Sequence, residues 1–329
     1  VKANTVSTAP ITLVIPAYNR SQLITETLNS ALNQSLRFQE IIVVDDGSTD
    51  DTPDTLAKFG DRITVVRTPN QGVQVARNIG IERAKTELVA LLDSDDLLEP
   101  DYLQTMGTWM LAHPEQDAAY CNFVTFNSNA TDLDKLARAP FDFLAGAKRE
   151  GNFALDIPDL YRRSLSYQPL FTCGLMINKR FIRKHGAYNP EFNGVGAEDW
   201  EFTLRLISEG RVSVCTKTLA RVRKHEDNDS GDHVHMSLGE AEILEYSLNH
   251  HANAKTLRFE IETSVQQRLI AAMGSAFDRG TLDQVLKIRK RIQKPLHLKT
   301  KIKILLCQIP DPTRSMIWGW IQSNSHHKS

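Results

Sequence analysis

Short, almost unbroken apolar runs alternate with stretches of helical spacing through the first part of the chain. Ile11–Ile15, Glu40–Val44, Ile63–Val66 and Leu88–Leu92 have strand length. Between them, Ser21–Gln34, Asp51–Phe59 and Gln74–Ala84 repeat apolar positions at helical spacing. Ser21 opens one predicted helix; Asp51 or Thr52, with Pro53 in the first turn, opens the next. This alternation predicts an α/β fold, a mostly parallel sheet flanked by helices on both faces that binds ligands at the carboxyl ends of its strands. Runs this apolar suit central strands buried on both sides.

Beyond Asp101 the regularity breaks. Tyr102–Ala112 predicts a helix, Ala118–Phe126 one or two strands, and Asn127–Asn152 an irregular excursion. Gly174–Ile177 reads as a strand, Asp199–Ser208 as a helix ended by Gly210, and Arg211–Thr216 and Thr218–Arg223 as two further strands. From His233 the pattern is helical, through Leu238, Ile243, Leu244, Tyr246 and Leu248 and on to Phe277.

Composition adds little to this picture until it is divided along the chain. Of the 329 residues 41% are hydrophobic and 24% charged, as in a globular chain with a sizeable core. The net charge is −1, yet Thr281–Ser329 holds ten basic residues against two acidic ones. That tail is net +8 and the rest of the chain net −9. An anionic partner for the tail, a membrane surface or an acidic polymer, is one expectation, and a solvated helical face is the other. Lys299, Lys301 and Lys303 interleave with Ile302, Ile304 and Leu305, and Met316–Ile321 carries two tryptophans, as in helices that lie on an anionic membrane. The alternative is that Trp318 and Trp320 pack onto the α/β domain or a second subunit. Cys121, Cys173, Cys215 and Cys307 stand far apart without a CxxC pair, so they read as free thiols in a reducing compartment. Val1–Pro10 lacks the apolar core of a signal peptide, and no run approaches membrane-spanning length. A cytoplasmic protein, peripheral on the inner face of a membrane if the tail binds one, is the expectation.

Chemistry gathers at the predicted strand ends. The first strand runs into Pro16-Ala17-Tyr18-Asn19-Arg20, without the glycine pattern of a dinucleotide fold or a P-loop. The second ends in Asp45-Asp46-Gly47, where carboxylates can accept from a base N–H or a ribose hydroxyl and the glycine permits a tight turn. The plainer alternative is a turn with a helix cap. The fourth strand runs into Asp93-Ser94-Asp95-Asp96. Three carboxylates together repel unless a positive charge lies among them, and a hard divalent cation also bridges diphosphate oxygens. Asp93 and Asp95 project to the same side of an extended backbone. An isolated pair of this kind is more often an exposed acidic turn; its place after a buried strand, beside a second acidic turn, favours a site. Glu198 and Asp199 follow Gly194 and Gly196 at a predicted helix start, where acids serve either the helix dipole or proton removal from a hydroxyl. His225 could complete a metal shell, although a lone histidine is more often an exposed one.

Taken in order, VIPAYNR, IIVVDDGSTD, NQGVQVARNIGI, LVALLDSDD, GAEDWEFTLRL and RKHEDN resemble the family 2 inverting glycosyltransferases of the GT-A fold. The resemblance spans about Pro10 to Asp229. It implies a catalytic domain over 10–230, with nucleotide-sugar binding at about 10–125 and the acceptor side at about 126–230, followed by a helical extension over 231–329. It implies that Pro16, Ala17, Tyr18 and Arg20 line a nucleotide pocket, that Asp45 or Asp46 reads base and ribose, and that Gly72 and Arg77 belong to a segment closing over the nucleotide. Asp93, Ser94 and Asp95 match the DxD motif. Asp95 would bind Mn²⁺ or Mg²⁺ directly, Asp93 would contact ribose or metal, and His225 would contact metal or diphosphate. Asp199 matches the general base, with Glu198 beside it. The implied activity is hexosyl or N-acetylhexosaminyl transfer from a nucleotide sugar, a UDP-sugar by family habit, to a glycan or lipid-linked acceptor, with no nucleic acid involved. A sugar nucleotidyltransferase shares the architecture but would open its first strand into a glycine- and arginine-rich phosphate loop. A sugar-nucleotide-binding module would not need both acidic sites.

Overall fold

The computed structural model describes residues 7–127, 130–224, 231–293, 295 and 297–307; His225 and Met316–Ile321 lie outside them. Strands and helices alternate as the spacing predicts: β1 (Thr8–Ala17), α1 (Ile24–Leu32), β2 (Arg37–Asp45), α2 (Thr52–Ala57), β3 (Thr64–Arg67), α3 (Val73–Arg83) and β4 (Leu88–Leu91). Next come β5 (Leu97–Leu98), α4 (Thr108–Ala112), β6 (Ala118–Phe126), β7 (Lys148–Glu150), β8 (Phe153–Leu155) and α5 (Leu160–Ser164). They are followed by β9 (Leu175–Asn178), α6 (Lys179–His185), α7 (Asp199–Glu209) and β10 (Val212–Arg223). Helices α8 (His233–His250), α9 (Arg258–Asp278), α10 (Leu282–Arg289) and α11 (Leu298–Cys307) complete the described chain.

One sheet runs in the order β3-β2-β1-β4-β9-β6-β10-β8-β7, with β5 added on β10. β3, β2, β1 and β4 are parallel neighbours, and β6 is parallel to β10. β9 lies between β4 and β6 and runs against both. Strand side chains alternate between two faces. Leu13, Ile15, Ile41, Val43, Ala90 and Leu92 enter one apolar core, which α1 covers with Ile24 and Leu28. Val14, Ile42, Val44, Val89 and Leu91 enter another, covered by Ala76 and Ile81 of α3. This two-sided burial is why the early strands read as solid apolar runs. It also leaves their carboxyl ends as the polar rim on which a site can form.

Three stretches differ from the sequence expectation. Tyr102–Ala112 opens as a wide π-type turn at Leu103–Gly107 before α4, which turns Leu103 and Met106 into the same core as Tyr102. The two strands expected between Arg211 and Arg223 are one, β10, whose register against β6 slips between Cys215 and Ala220. A bulge of this kind inserts extra residues and bends the strand without ending it. The long helical stretch to Phe277 is two helices, because the chain breaks at His251 into a short 3-10 turn, Ala252–Ala254.

A third core joins α7 to the helices that follow. Trp200 and Leu204 of α7 pack with Val234, Ile243 and Leu244 of α8 and Ile261 and Leu269 of α9. Ile304 and Cys307 of α11 belong to the same core, while Leu305 is exposed. Among the described residues no helix is long and apolar enough to cross a membrane.

Candidate active site

Strand β4 delivers Asp93, Ser94, Asp95 and Asp96 to the rim, and each acid meets a different partner. Asp93 Oδ1 accepts from Arg77 Nη2 at 2.7 Å. Arg77 projects from α3, is buried, and lies over the Tyr188 ring at 5.3 Å. Burial alone would lower the Arg77 pKa, but Asp93, Tyr188 and Asp199 together outweigh it and the pKa rises. Asp95 Oδ2 stands 3.4 Å from Arg20 Nε, and its carbonyl accepts from Arg223 Nε at 3.0 Å. Ser94 is held from below, its carbonyl accepting from Thr27 Oγ1 at 3.0 Å. Asp96 is buried and accepts from the Arg223 amide at 2.8 Å. Burial first, then the charges of Asp95 and Asp93, push its pKa well above the ordinary carboxylate value. Asp93 and Asp95 remain partly exposed at the rim, each beside a guanidinium. Among the described residues no group of three or more candidate ligands could hold a metal ion by itself.

At the end of β2, which β1 separates from β4 and which is therefore not the adjacent strand the sequence suggested, the two adjacent aspartates divide their work. Asp46 is saturated by the loop after β3: Oδ1 accepts from the Gln71 amide at 3.0 Å and Thr68 Oγ1 at 3.2 Å, and Oδ2 from the Gly72 amide at 2.8 Å. Asp45 Oδ1 accepts from the Ser48 amide at 3.0 Å. Its Oδ2 is buried without a hydrogen-bond partner, 3.5 Å from Arg67 Nε. Gly47 between them and the next helix has φ +76°, and a Cβ there would lie 2.6 Å from the Asn70 nitrogen, so the turn requires glycine. Pro16 and Ala17 pair with Val44 and Asp45, which sets the Tyr18–Arg20 turn beside this aspartate pair. Tyr18 is 43% exposed, and the Arg20 amide donates to Thr52 Oγ1 at 2.7 Å.

Glu198 and Asp199 arrive on a turn with Gly194, Gly196 and Ala197 all at positive φ. Asp199 is the first residue of α7 and is buried. Its Oδ2 accepts from Thr172 Oγ1 at 3.1 Å, and Thr172 Oγ1 lies 3.3 Å from the Tyr188 hydroxyl. Thr172 has one hydroxyl hydrogen, so it accepts from Tyr188 while donating to Asp199. Burial raises the Asp199 pKa; Arg77 counteracts this in part, and Asp93 adds to it. The residues expected at the two acidic sites therefore meet in one polar chain, Asp93–Arg77–Tyr188–Thr172–Asp199. The two loops are also stitched together. Gln74 donates its amide N–H to Asn193 Oδ1 at 2.9 Å and its Nε2 to the Glu198 carbonyl at 2.7 Å, and Asn193 Nδ2 donates to the Gln71 carbonyl at 2.9 Å. Thr172, Tyr188, Asn193, Gln74 and Arg67 were not singled out from the sequence. Only Arg67, a basic residue ending a strand beside Asp45, carried a signal that could have found it.

Residues 12–165 match the family model described as Glycosyl transferase family 2. Over 222 residues the chain is 38% identical to chondroitin synthase of Pasteurella multocida (strain Pm70), and over 226 residues 29% identical to hyaluronan synthase of Pasteurella multocida. Each alignment covers 61% of this chain and 23% of the relative, so the chain spans under a quarter of those proteins. The crystal structure of S. aureus TarS 1-349 in complex with UDP-GlcNAc superposes with a TM-score of 0.58 at 18% identity, covering 90% of this chain and 79% of that one. Residues 12–165 are thus similar in sequence to the family 2 glycosyltransferases, and the fold of the chain is similar to that of TarS.

Proposed function

We propose that the chain transfers a sugar, with inversion, from a nucleoside-diphosphate sugar to a hydroxyl of a glycan or lipid-linked acceptor, and that the donor nucleotide is UDP. The observation that carries this reading is the polar chain from Asp93 to Asp199, which joins a phosphate-side acidic pair to a buried proton acceptor. UDP is favoured because the TarS neighbour was crystallised with UDP-GlcNAc and with UDP. The synthase relatives are named for polysaccharide products, which suggests a glycan acceptor.

Asp45 is the better candidate for reading the base: its Oδ2 is buried and lacks a hydrogen-bond partner, as an acceptor awaiting a base N–H should be. Asp46 fixes the loop bearing Gly72. Tyr18 offers an exposed ring for stacking. Asp93 and Asp95 would supply the hard oxygen ligands that suit Mn²⁺ or Mg²⁺. The cation, when bound, would offset charge developing on the leaving diphosphate. Arg20, beside Asp95, is placed to add a second positive charge there.

Asp199 takes the acceptor proton as the hydroxyl oxygen bonds to the anomeric carbon, while the bond from that carbon to the diphosphate oxygen breaks on the opposite face. A pKa raised by burial makes this carboxylate a stronger base than an exposed one. Glu198 stands beside it at the same turn. A nucleotide-release screen with UDP-, GDP- and dTDP-sugars in Mn²⁺ tests the reading. Release from UDP-sugars supports it, and silence with every donor removes it. The basic tail, part of it outside the described residues, is proposed to rest on an anionic membrane. Co-sedimentation with anionic but not neutral vesicles, weakened by salt, is the expected result.

A further inference from the structure

Helix α8 touches the turn that carries Glu198 and Asp199 backbone to backbone. A Cβ added at Gly239 of α8 would lie 2.2 Å from the Val195 carbonyl oxygen and 2.3 Å from that of Gly196. On the other side, a Cβ at Gly196 would lie 3.0 Å from His235 Cδ2 and 3.1 Å from the His235 carbonyl oxygen. No side chain fits between the two segments. The contact therefore sets how far the turn can sit from the helix.

A second contact holds the helix that follows the turn. His251, just past the end of α8, is buried, with Nε2 3.2 Å from Glu201 Oε1 and Nδ1 3.1 Å from the Tyr161 hydroxyl. Glu201 lies two residues beyond Asp199 and also takes Arg205 at 2.8 and 3.0 Å. Arg205 in turn donates to the carbonyls of His185, Gly186 and Ala187. Trp200, between Asp199 and Glu201, is fully buried, with Arg268 of α9 over its ring at 4.7 Å. The base is thus flanked on both sides in sequence by residues anchored to the C-terminal helices.

We propose that Gly239 and His251 are positioning residues for Asp199: α8 is the backstop that fixes the Glu198–Asp199 turn, making the helical extension part of the transfer machinery and not a separable appendage. This rests on reading Asp199 as the base. A misplacement of ~1 Å in a catalytic constellation can cost about 10²-fold in rate. Accommodating a methyl group at Gly239 demands a movement of that order.

The test uses the full chain, with Gly239→Ala, His251→Leu, His251→Gln and the control Val285→Ala, a core truncation in α10. UDP release from UDP-GlcNAc in Mn²⁺, UDP affinity by calorimetry and amide exchange over residues 195–201 are measured together. Expected for Gly239→Ala are faster exchange at that turn, a fall in UDP release of roughly 10–100-fold, and UDP affinity within about twofold of the parent. His251→Leu should act in the same direction more weakly. His251→Gln, which keeps a donor for Glu201, should restore most of the loss, and this pair decides the matter should Gly239→Ala not fold. Val285→Ala should lower the melting temperature while leaving release and exchange at the turn alone. Parent-like exchange and release in both Gly239→Ala and His251→Leu overturn the proposal, as does a Val285→Ala loss of release equal to theirs. A parent that releases UDP from no UDP-sugar refutes the proposed function instead; exchange at the turn then decides the mechanical coupling by itself.

Discussion

The two acidic sites hold the same kind of group in opposite ways. At the end of β4, Asp93 and Asp95 are met by guanidinium groups, while a third acid, Asp96, has its pKa driven up by burial first and then by the other two. At the start of α7, Asp199 is buried against a neutral hydroxyl, and its own pKa rises. Charge partners prepare a carboxylate to hold cations and exchange them. Burial raises a carboxylate's affinity for a proton, and the threonine hydrogen bond tempers that rise. On the proposed reading, environment alone separates ligand duty from base duty, with no change of residue type.

Asp199→Asn gives the sharpest break in this comparison. The amide cannot take a proton, so turnover should fall by ~10²–10⁴-fold with UDP affinity held within a few fold. A parallel loss of UDP affinity in calorimetry would move Asp199 to the donor side. Arg77→Met comes next, because it removes the buried charge shared by both sites. Breaking a buried pair from one side costs ~3–5 kcal/mol, and the partial exposure of Asp93 puts the expected loss near the lower end in urea unfolding. Parent-like stability would mean that Asp93 relaxes into water.

Asp95→Ala should weaken Mn²⁺-promoted UDP binding by roughly 10–100-fold, about 1.4–2.7 kcal/mol, while leaving any metal-free binding unchanged. Equal affinity with and without EDTA in the parent would remove the metal from the donor site. The mildest expected change is that of Thr172→Val. The Thr172 hydrogen bond lowers the Asp199 pKa, so deleting it should raise that pKa further. A base works only when deprotonated, and activity is lost as pH falls through its pKa; the acid limb of kcat/KM should move to higher pH. A limb that stays put would assign the acid side of the profile to another group.

Legibility in the sequence followed the range of the forces involved. β1 to β4 and α1 to α3 could be read because each is two-sided or one-sided in burial over a short local window. Asp93, Asp95 and Asp199 could be read because acids at element ends stand out locally. Thr172 and Tyr188 could not: one is an ordinary hydroxyl in a loop, the other an ordinary aromatic, and their roles exist only after strands distant in sequence pair. β10 looked like two strands because a bulge interrupts the period-two pattern without interrupting the strand. The extension's tie to the turn was equally hidden, since a glycine within a helix signals close approach only once its neighbour is known.

Asn193 has a consequence for how this protein can be altered. One amide side chain fastens residues 71–74 to residues 193–198 by two hydrogen bonds, with a third from Gln74 to the Glu198 carbonyl. The two stretches lie more than a hundred positions apart, yet each takes part of its hydrogen bonding from the other. Anyone grafting a loop from a relative to change donor or acceptor preference must transplant both as a single cassette. Exchanging one alone leaves unmatched donors and acceptors at the seam, and the chimera inherits a distorted version of each parent.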